Sequence, residues 1–193
     1  MSQSLKFVSR AGEKLESALS LLGIEITGVV AADLGCSTGG FVDCMLKRGA
    51  ARVYAVDTAY GELAWTLRND PRVVVLERTN ALHVELPEKV GLVTIDCGWT
   101  RQEKILPHAK TLLAPGGRIL TLVKPHYEAH EDERTKGAVD PEKLDAVLAR
   151  VEGKLSDLAL TLVAKVESPI TGERGGNKEV FFSLTPRTEE SLA

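Results

Sequence analysis

AADLGCSTGGFVD, residues 31–43, passes from an apolar run into a turn of small residues. Two valines precede it, so VVAADL predicts a buried β-strand. The turn holds Gly35, Gly39 and Gly40, and an apolar helical pattern begins at Gly40. Glycines in such a turn let the backbone approach a ligand closely, and N–H groups at the helix start face that ligand. The alternative is a tight strand–helix turn that binds nothing.

Short β-branched runs alternate with helical patterns along the chain. The strand candidates are VVAADL, RVYAVD, RVVVLE, LVTID, RILTLV, LTLVAKV and EVFFSL. The helical patterns cover about residues 40–48, 61–68, 101–113 and 141–155, after a first helix with Ser9 as its N-cap and Gly23 at its end. This order predicts an α/β protein with a doubly wound, mostly parallel sheet. Only ESPITGERGGNK separates the last two strands, so they are predicted to pair antiparallel.

Composition predicts a cytoplasmic protein with one domain over residues 1–193. The hydrophobic share is 44%, the charged share is 26%, and the three cysteines form no CxxC pair. The N-terminus has no signal-peptide core, and the weakly charged stretch at 17–32 is too short to span a membrane, so no membrane partner is expected. The net charge of −3 means that RNA binding would need a local basic face.

The glycine turn departs from both common nucleotide motifs. Its G-x-x-x-G-G spacing is not G-x-G-x-x-G, and Phe41 and Val42 stand where a phosphate loop would carry lysine. Asp57 ends RVYAVD about 20 residues after the first glycine, where an acid can bind a ribose. Asp33 could hold a cationic amino group. Ribose and amino-acid recognition without a phosphate clamp favours S-adenosylmethionine. The predicted binding residues are Asp33, Gly35, Ser37, Thr38, Gly39, Gly40, Phe41 and Asp57.

Four charged residues form a predicted catalytic set. Lys14 lies in the first helix, Asp96 ends LVTID, Lys124 ends RILTLVK, and Glu179 begins the last strand. The carboxyl ends of parallel strands form the ligand crevice of an open α/β sheet, so Asp96 and Lys124 should face the pocket of the glycine turn. The alternative is that each lysine is a solvated surface group.

This set suits methylation of a hydroxyl, which is a poor nucleophile until its proton is removed. Lys124 could remove the proton if burial or a neighbouring cation lowers its pKa, and Lys14 could be that cation. Asp96 and Glu179 would orient the two ammonium groups. A base role of Lys124 therefore requires a lowered pKa.

Several motifs resemble one known family. VSRAGEKLESAL, DLGCSTGGF, VYAVDTAYGELAWTLRNDPRVVVLERTN, LVKPHYE, ESPITG and GNKEVFF, between Phe7 and Phe182, are similar to FtsJ-like ribosomal RNA methyltransferases, above all their TlyA (haemolysin A) branch. The resemblance implies a Rossmann-like class I methyltransferase fold, with an antiparallel last strand in a seven-stranded sheet. It implies ribose 2′-O-methylation by a Lys-Asp-Lys-Glu tetrad. The tetrad falls on Lys14, Asp96, Lys124 and Glu179, and the resemblance puts Asn80 near the adenine and Asp96 beside the cofactor.

Two departures keep other substrates open. TlyA-like proteins usually carry a small N-terminal RNA-binding domain, whereas this sequence starts at the methyltransferase, so RNA capture would use this domain or a partner. DCGWTRQE also stands where that branch usually reads DVSFIS. A small hydroxylated molecule is therefore an alternative substrate, and a non-catalytic cofactor- or RNA-binding protein is a further alternative.

The remaining motifs give weaker expectations. The basic clusters Lys6, Arg10, Lys14 and Lys47, Arg48, Arg52 could bind RNA phosphates, although the second cluster could equally be a solvated helix end. Trp65 is expected in the core, and Trp99 could contact a base or cover the pocket. His126 and His130 have i, i+4 spacing, but no third ligand accompanies them, so no metal site is predicted. Residues 172–177, GERGGN, are expected to form a mobile hairpin loop.

Overall fold

The computed structural model describes residues 6–172 and 177–187. Within these ranges the α-helices are α1 (Ala11–Leu21), α2 (Gly40–Lys47), α3 (Trp65–Arg68), α4 (Gln102–Leu112), α5 (Pro125–Glu128) and α6 (Leu144–Leu155). The strands are β1 (Val30–Leu34), β2 (Arg52–Val56), β3 (Val73–Leu76), β4 (Val90–Ile95), β5 (Leu113–Val123), β6 (Arg134–Thr135), β7 (Ala138–Val139), β8 (Leu160–Glu167) and β9 (Val180–Pro186). Short 3₁₀ helices cover Glu131–Glu133 and Pro141–Lys143.

Seven strands form one sheet in the order β3-β2-β1-β4-β5-β9-β8. Neighbours from β3 to β5 pair parallel, whereas β9 is antiparallel to both β5 and β8. The predicted mostly parallel sheet with an antiparallel last strand is confirmed. The chain order reverses between β1 and β4, and a ligand crevice is expected at that point, outside the carboxyl ends of the strands.

The apolar strands are buried on both faces of the sheet. Because successive residues of a strand point to opposite faces, Ala31 packs with α1 and α2, whereas Ala32 packs with α4 and α6. Phe181 and Phe182 divide in the same way between the two apolar layers. Two-sided burial explains why these strands are continuous apolar runs.

Helices α1 and α2 cross at a pair of glycines. A Cβ atom on Gly12 would overlap the Phe7 ring and lie 2.8 Å from the Gly40 carbonyl oxygen. A Cβ atom on Gly40 would lie 2.7 Å from the Gly12 backbone nitrogen and 2.9 Å from the Ala11 Cβ atom. The backbone of one helix therefore touches the other, and no larger side chain fits this crossing without moving a helix.

Gly40→Ala is expected to lower the free energy of unfolding by about 1–3 kcal/mol, because overpacking forces the backbone apart. Gly153→Ala is the matched control: Gly153 lies in α6 with open space around the Cβ position, and there alanine should stabilise by about 0.5–1 kcal/mol. Urea unfolding of both variants measures the two changes. Equal effects of the two substitutions would contradict the close α1–α2 crossing.

Three expectations for individual elements are wrong. Arg10, not Ser9, is the N-cap of α1, because the first helical residue is Ala11. Only Trp65–Arg68 is helical in the predicted helix at 61–68, since Gly61 has a φ of 79° in the left-handed region. Trp65 is 75% exposed rather than buried. Its neighbours Leu63 and Leu67 fill the interior instead, where they pack against Gly39.

A short antiparallel hairpin between α5 and α6 was not predicted. Strands β6 and β7 are joined by Lys136 and Gly137, whose φ angles of 53° and 84° form a tight two-residue turn. Asn177 accepts a hydrogen bond from the Val139 N–H at 3.1 Å and so ties this hairpin to the segment before β9. The core of the predicted mobile loop, residues 173–176, lies outside the described residues. None of the helices in the described ranges has the length and apolar character needed to cross a membrane.

Candidate functional site

Two adjoining clefts open at the carboxyl ends of the central strands. The larger cleft has a volume of about 750 Å³, and its lining includes Lys14, Asp33, Gly35, Asp96, Lys124 and Glu179. The smaller cleft, about 230 Å³, is lined by residues that include Gly35, Ser37, Asp57, Asn80 and Asp96. Gly35, Ser37 and Asp96 border both clefts, so the glycine turn lies between them.

The four residues of the predicted catalytic set form two ion pairs in the larger cleft. Lys14 Nζ lies 2.6 Å from Glu179 Oε2, and Lys124 Nζ lies 2.6 Å from Asp96 Oδ1. The four side chains are only 3–18% exposed. Lysines with this little exposure are not solvated surface groups, so that alternative is wrong. The structure brings together residues from α1, the ends of β4 and β5, and the start of β9.

The lowered pKa that a base role of Lys124 would require is not found. Burial does act to lower that pKa, but the carboxylates of Asp96 and Glu179 more than offset it. The pKa of Lys124 is therefore raised above its ordinary value, and the side chain is an ammonium group at neutral pH. It can donate hydrogen bonds but cannot accept a proton in this state.

The carboxyl group of Asp33 is buried, and one of its two oxygens accepts no hydrogen bond from the described residues. Its Oδ1 accepts a hydrogen bond from the Thr94 hydroxyl at 2.7 Å, whereas its Oδ2 has no partner within the described part of the chain. Burial, with repulsion from Asp96 and Asp57, raises the pKa of Asp33 to about 8. A cation placed in the larger cleft could therefore pair with this oxygen and stabilise the carboxylate form.

The raised pKa of Asp33 makes stability depend on pH. Between the unfolded value near 4 and the folded value of about 8, the folded chain holds a proton that the unfolded chain has lost, so stability falls as pH rises. Asp33→Asn removes this cost, and its Tm is expected to exceed that of the wild type by several °C at pH 8, since about 1 kcal/mol shifts Tm by roughly 2–4 °C in a chain of this size.

Thermal unfolding at pH 5, 6.5 and 8 checks this prediction, and the Tm difference should widen with pH. Asp157→Asn is the control, because Asp157 is an exposed acid between α6 and β8. A Tm difference that stays constant or shrinks with pH for Asp33→Asn would contradict the raised pKa of the buried Asp33 carboxyl.

The glycine turn is held against β2 by backbone hydrogen bonds and by Asp57. Gly35 has a φ of 88°, and a Cβ atom there would lie 3.0 Å from the Asp96 carbonyl oxygen, so only glycine fits without strain. Asp57 Oδ2 accepts the Ser37 N–H at 2.8 Å, and its Oδ1 accepts the Ala59 N–H at 2.8 Å. Asp57 thus shapes the turn while it borders the smaller cleft.

The predicted binding residues divide into two groups. Those that line a cleft are Asp33, Gly35, Ser37, Thr38, Phe41, Asp57, Asn80 and Asp96. Gly39 and Gly40 are absent from the lining of both clefts. A Cβ atom on Gly39, whose φ is 97°, would lie 2.7 Å from Leu63 Cδ1, and Gly40 packs against α1. For these two glycines, the structure gives a packing reason for the absence of a side chain.

Several lining residues were not among the predicted site residues. His126 and Tyr127 line the larger cleft directly after Lys124, and Ile170–Gly172 border it from the segment before β9. The LVKPHYE motif already held the first two. Helix α5 ends at Glu128, so His126 and His130 do not share a helix face. Trp99 is 78% exposed, and its ring centroid lies 5.2 Å from that of Tyr127.

Most of the lysines and arginines in the two predicted basic clusters form ion pairs with carboxylates. Lys6 and Arg48 both contact Glu16. Lys47 lies 3.0 Å from Asp43 Oδ2, and Arg52 lies 2.6 Å from Glu88 Oε1. These ion pairs reduce the positive potential that the basic residues would present to phosphates.

The sheet order, its antiparallel β9 and the cleft at the carboxyl ends define the class as a Rossmann-like methyltransferase. The N-methyltransferase NodS from Bradyrhizobium japonicum shares the fold, with a TM-score of 0.61 at 17% identity over 93% of this chain and 96% of its own. The model of the FtsJ-like methyltransferase family matches residues 7–185. The chain belongs to that family and is a methyltransferase, which confirms the predicted resemblance.

More similar relatives lie in the TlyA branch. The chain is 39% identical over 193 residues to the 16S/23S rRNA (cytidine-2′-O)-methyltransferase TlyA of Mycobacterium tuberculosis, covering 97% of this chain and 71% of that protein. A solved structure from Streptococcus thermophilus, of a protein with a provisional hemolysin name, has a TM-score of 0.90 at 33% identity. That alignment covers 98% of this chain and 72% of the other.

Proposed function

We propose that this methyltransferase uses S-adenosylmethionine to methylate ribose 2′-hydroxyls of ribosomal RNA. The observation that carries the proposal is that two ion pairs, Lys14–Glu179 and Lys124–Asp96, line the same cleft as the glycine turn. Two ammonium groups held by carboxylates suit the binding and orientation of a hydroxyl oxygen.

The residues of the clefts fit the proposed cofactor. Asp33 Oδ2, which has no partner among the described residues, suits the cationic amino group of the cofactor. Asp57 and Asn80 in the smaller cleft suit the ribose and the adenine. Phe41 follows the glycines where a phosphate-binding loop would carry a lysine. When bound, S-adenosylmethionine supplies an electrophilic methyl group on a sulfonium sulfur.

The chain's own residues would then align the substrate oxygen. The ammonium group of Lys124 donates a hydrogen bond to the hydroxyl oxygen, and Asp96 fixes the direction of that ammonium group. Lys14, held by Glu179, provides a second donor in the same cleft. Methyl transfer needs oxygen, carbon and sulfur in line, so this positioning would supply a large part of the rate.

Ribosomal RNA is proposed as the substrate because the M. tuberculosis relative, named for that activity, aligns with 97% of this chain. Arg10 and Lys14 both line the larger cleft and could approach a phosphate and a ribose there. RNA is therefore expected to reach the catalytic set from the α1 side.

A small hydroxylated molecule is a second candidate substrate. The observation in its favour is that Lys47, Arg48 and Arg52 are held by carboxylates in a chain with a net charge of −3. The same tetrad chemistry would apply to any hydroxyl that fits the larger cleft.

Methyl transfer from a radiolabelled donor tests both candidates. The purified chain is incubated with unmodified 16S or 23S rRNA and, separately, with a panel of small alcohols and catechols. Labelled RNA whose 2′-O-methyl group blocks alkaline cleavage at one nucleotide would support the proposal. Labelled small molecules with unlabelled RNA would favour the second candidate. RNA binding should weaken steeply with salt, because each phosphate contact releases counterions.

A further inference from the structure

We propose that Glu128 is a positioning residue for methyl transfer, which fixes the loop between β4 and α4 from the end of α5. This β4–α4 loop covers residues 96–101 and begins with Asp96, the ion-pair partner of Lys124. The inference rests on the proposed function, because it assumes that Asp96 and Lys124 orient the acceptor hydroxyl. Glu128 itself lines neither cleft, so it would act through the loop.

The β4–α4 loop lines both clefts. Asp96 borders each of them, and Cys97, Gly98 and Thr100 border the smaller one. A displacement of the loop would therefore move the carboxylate that directs the Lys124 side chain, and it would also reshape the cleft proposed for the adenine. Methyl transfer needs its reacting atoms in line, and an error of about 1 Å in such an arrangement can cost about 100-fold in rate.

Glu128 holds the far end of this loop. Its Oε1 accepts the backbone N–H of Gln102, the first residue of α4, at 2.8 Å. The N-cap residue of α4, Arg101, makes no capping hydrogen bond with its side chain, so Glu128 supplies an acceptor from another helix. A carboxylate is favourable there because the first N–H groups of a helix lack partners within the helix. Glu128 is only 8% exposed, and a glutamate is rarely buried to this extent without a partner.

The side chain of Gln102 ties the same end of the loop to β5. Its Oε1 accepts the Thr121 hydroxyl at 2.8 Å, and both residues are buried. Thr121 is paired in register with Ile95, the residue directly before Asp96. The loop therefore starts at the ion pair of Asp96 and ends at the hydrogen bonds of Gln102, and all of these contacts come from β5 and the residues that follow it.

One turn of helix connects Glu128 to Lys124. Lys124 is the N-cap of α5 and Glu128 is its last residue. The Tyr127 N–H donates to the Lys124 carbonyl oxygen at 2.9 Å, which closes this turn. Since the turn is short and hydrogen-bonded, a loop held by Glu128 is also held relative to Lys124, and Asp96 keeps its place beside that lysine.

The loop has a conformation that its own residues do not favour. Trp99 has a φ of 60°, in the left-handed region that is unfavourable for a bulky side chain. A residue keeps such a conformation where the surrounding structure enforces it. Because Trp99 is 78% exposed, little packing is available to enforce it at that residue. The loop is therefore expected to relax when Glu128 releases Gln102.

The test compares the wild type with Glu128→Gln, Glu128→Asp and Glu128→Ala in single-turnover methylation of an RNA that the wild type methylates, at saturating cofactor and RNA. Glutamine keeps an acceptor oxygen at the same reach without the charge, whereas aspartate keeps the charge but is one methylene shorter. Glu128→Gln should stay within about threefold of the wild-type rate, whereas Glu128→Asp and Glu128→Ala should lose about 10- to 100-fold. Glu103→Ala is the control, because Glu103 in α4 pairs with Lys154 of α6, and its rate should not change.

A second readout does not depend on activity. In a Trp65→Phe background Trp99 is the only tryptophan, so time-resolved fluorescence anisotropy reports on the β4–α4 loop. Trp65 is exposed and lies outside both clefts, which makes this background a mild change. Loop motion occurs on nanosecond and longer timescales, so the nanosecond anisotropy component should be larger in Glu128→Asp and Glu128→Ala than in the wild type and Glu128→Gln.

An unchanged rate or an unchanged anisotropy in Glu128→Ala would overturn the proposal. A loss in Glu128→Gln as large as in Glu128→Ala would also overturn it, because the charge rather than the accepted N–H would then matter. Urea unfolding shows whether each variant folds, and if Glu128→Ala does not, the comparison of Glu128→Gln with Glu128→Asp decides. A wild-type chain that methylates no RNA refutes the proposed function instead, and the anisotropy still tests whether Glu128 holds the loop.

Discussion

Lys124→Ala is expected to reduce the methylation rate by about 10²–10⁴-fold while cofactor affinity changes by less than about threefold. The substitution removes the ammonium group that would hold the hydroxyl oxygen and leaves the Asp96 carboxylate without its partner at 2.6 Å. An unpaired carboxylate beside the reacting oxygen would repel the negative charge that develops there. Single-turnover transfer to an RNA that the wild type methylates measures the rate, and calorimetry with S-adenosylhomocysteine measures affinity.

Lys104→Ala is the matched control for this experiment. Lys104 is an exposed lysine of α4 that lines neither cleft, so its removal should leave both quantities unchanged. Thermal unfolding of Lys124→Ala shows whether the unpaired Asp96 has lowered stability. A folded Lys124→Ala variant with more than a tenth of the wild-type rate would contradict the proposed role of Lys124.

Asp57→Ala is expected to weaken cofactor binding about 10- to 100-fold. Hydrogen bonds to a charged group contribute about 1.5–3 kcal/mol, and each 1.4 kcal/mol is a factor of ten in affinity. The substitution also removes the acceptor of the Ser37 N–H at 2.8 Å and so loosens the glycine turn itself. Calorimetric titration with S-adenosylmethionine measures the loss.

Asp70→Ala controls for the loss of a carboxylate that accepts a backbone N–H. Asp70 accepts the Arg72 N–H at 2.9 Å but lies outside both clefts, so cofactor affinity should not change. Equal affinities of the wild type and Asp57→Ala would remove Asp57 from the cofactor site and leave it as a structural support of the turn.

Much of the fold follows from local patterns that the sequence displays. The seven main strands begin and end within a few residues of the predicted runs, and the central ones are continuous apolar segments because both of their faces are buried. The exception in length is β5, which starts at Leu113 rather than at Arg118. The short β6–β7 hairpin carries no apolar run and therefore gave no comparable pattern.

The candidate site was predictable to the extent that topology brings strand ends together. Asp96 and Lys124 end neighbouring parallel strands, so their approach follows from the sheet order alone. Lys14 and Glu179 are 165 residues apart, and their expected proximity came from family resemblance. His126 stood in a quoted motif, but only the surrounding structure shows that its buried Nδ1 atom has no hydrogen-bond partner among the described residues.

The sequence by itself determined the α/β class, the positions of Asp96 and Lys124 at strand ends, and the family resemblance, because periodicity and motifs are local properties. Only the tertiary structure decided which charged side chains form ion pairs and which of them carry a proton. Lys124 is an ammonium group since Asp96 and Glu179 together outweigh its burial, and Coulomb energies depend on distances that no spacing specifies. The glycine crossing of α1 and α2 and the exposure of Trp65 are of the same kind, because packing selects one face of a helix only when its neighbours are in place.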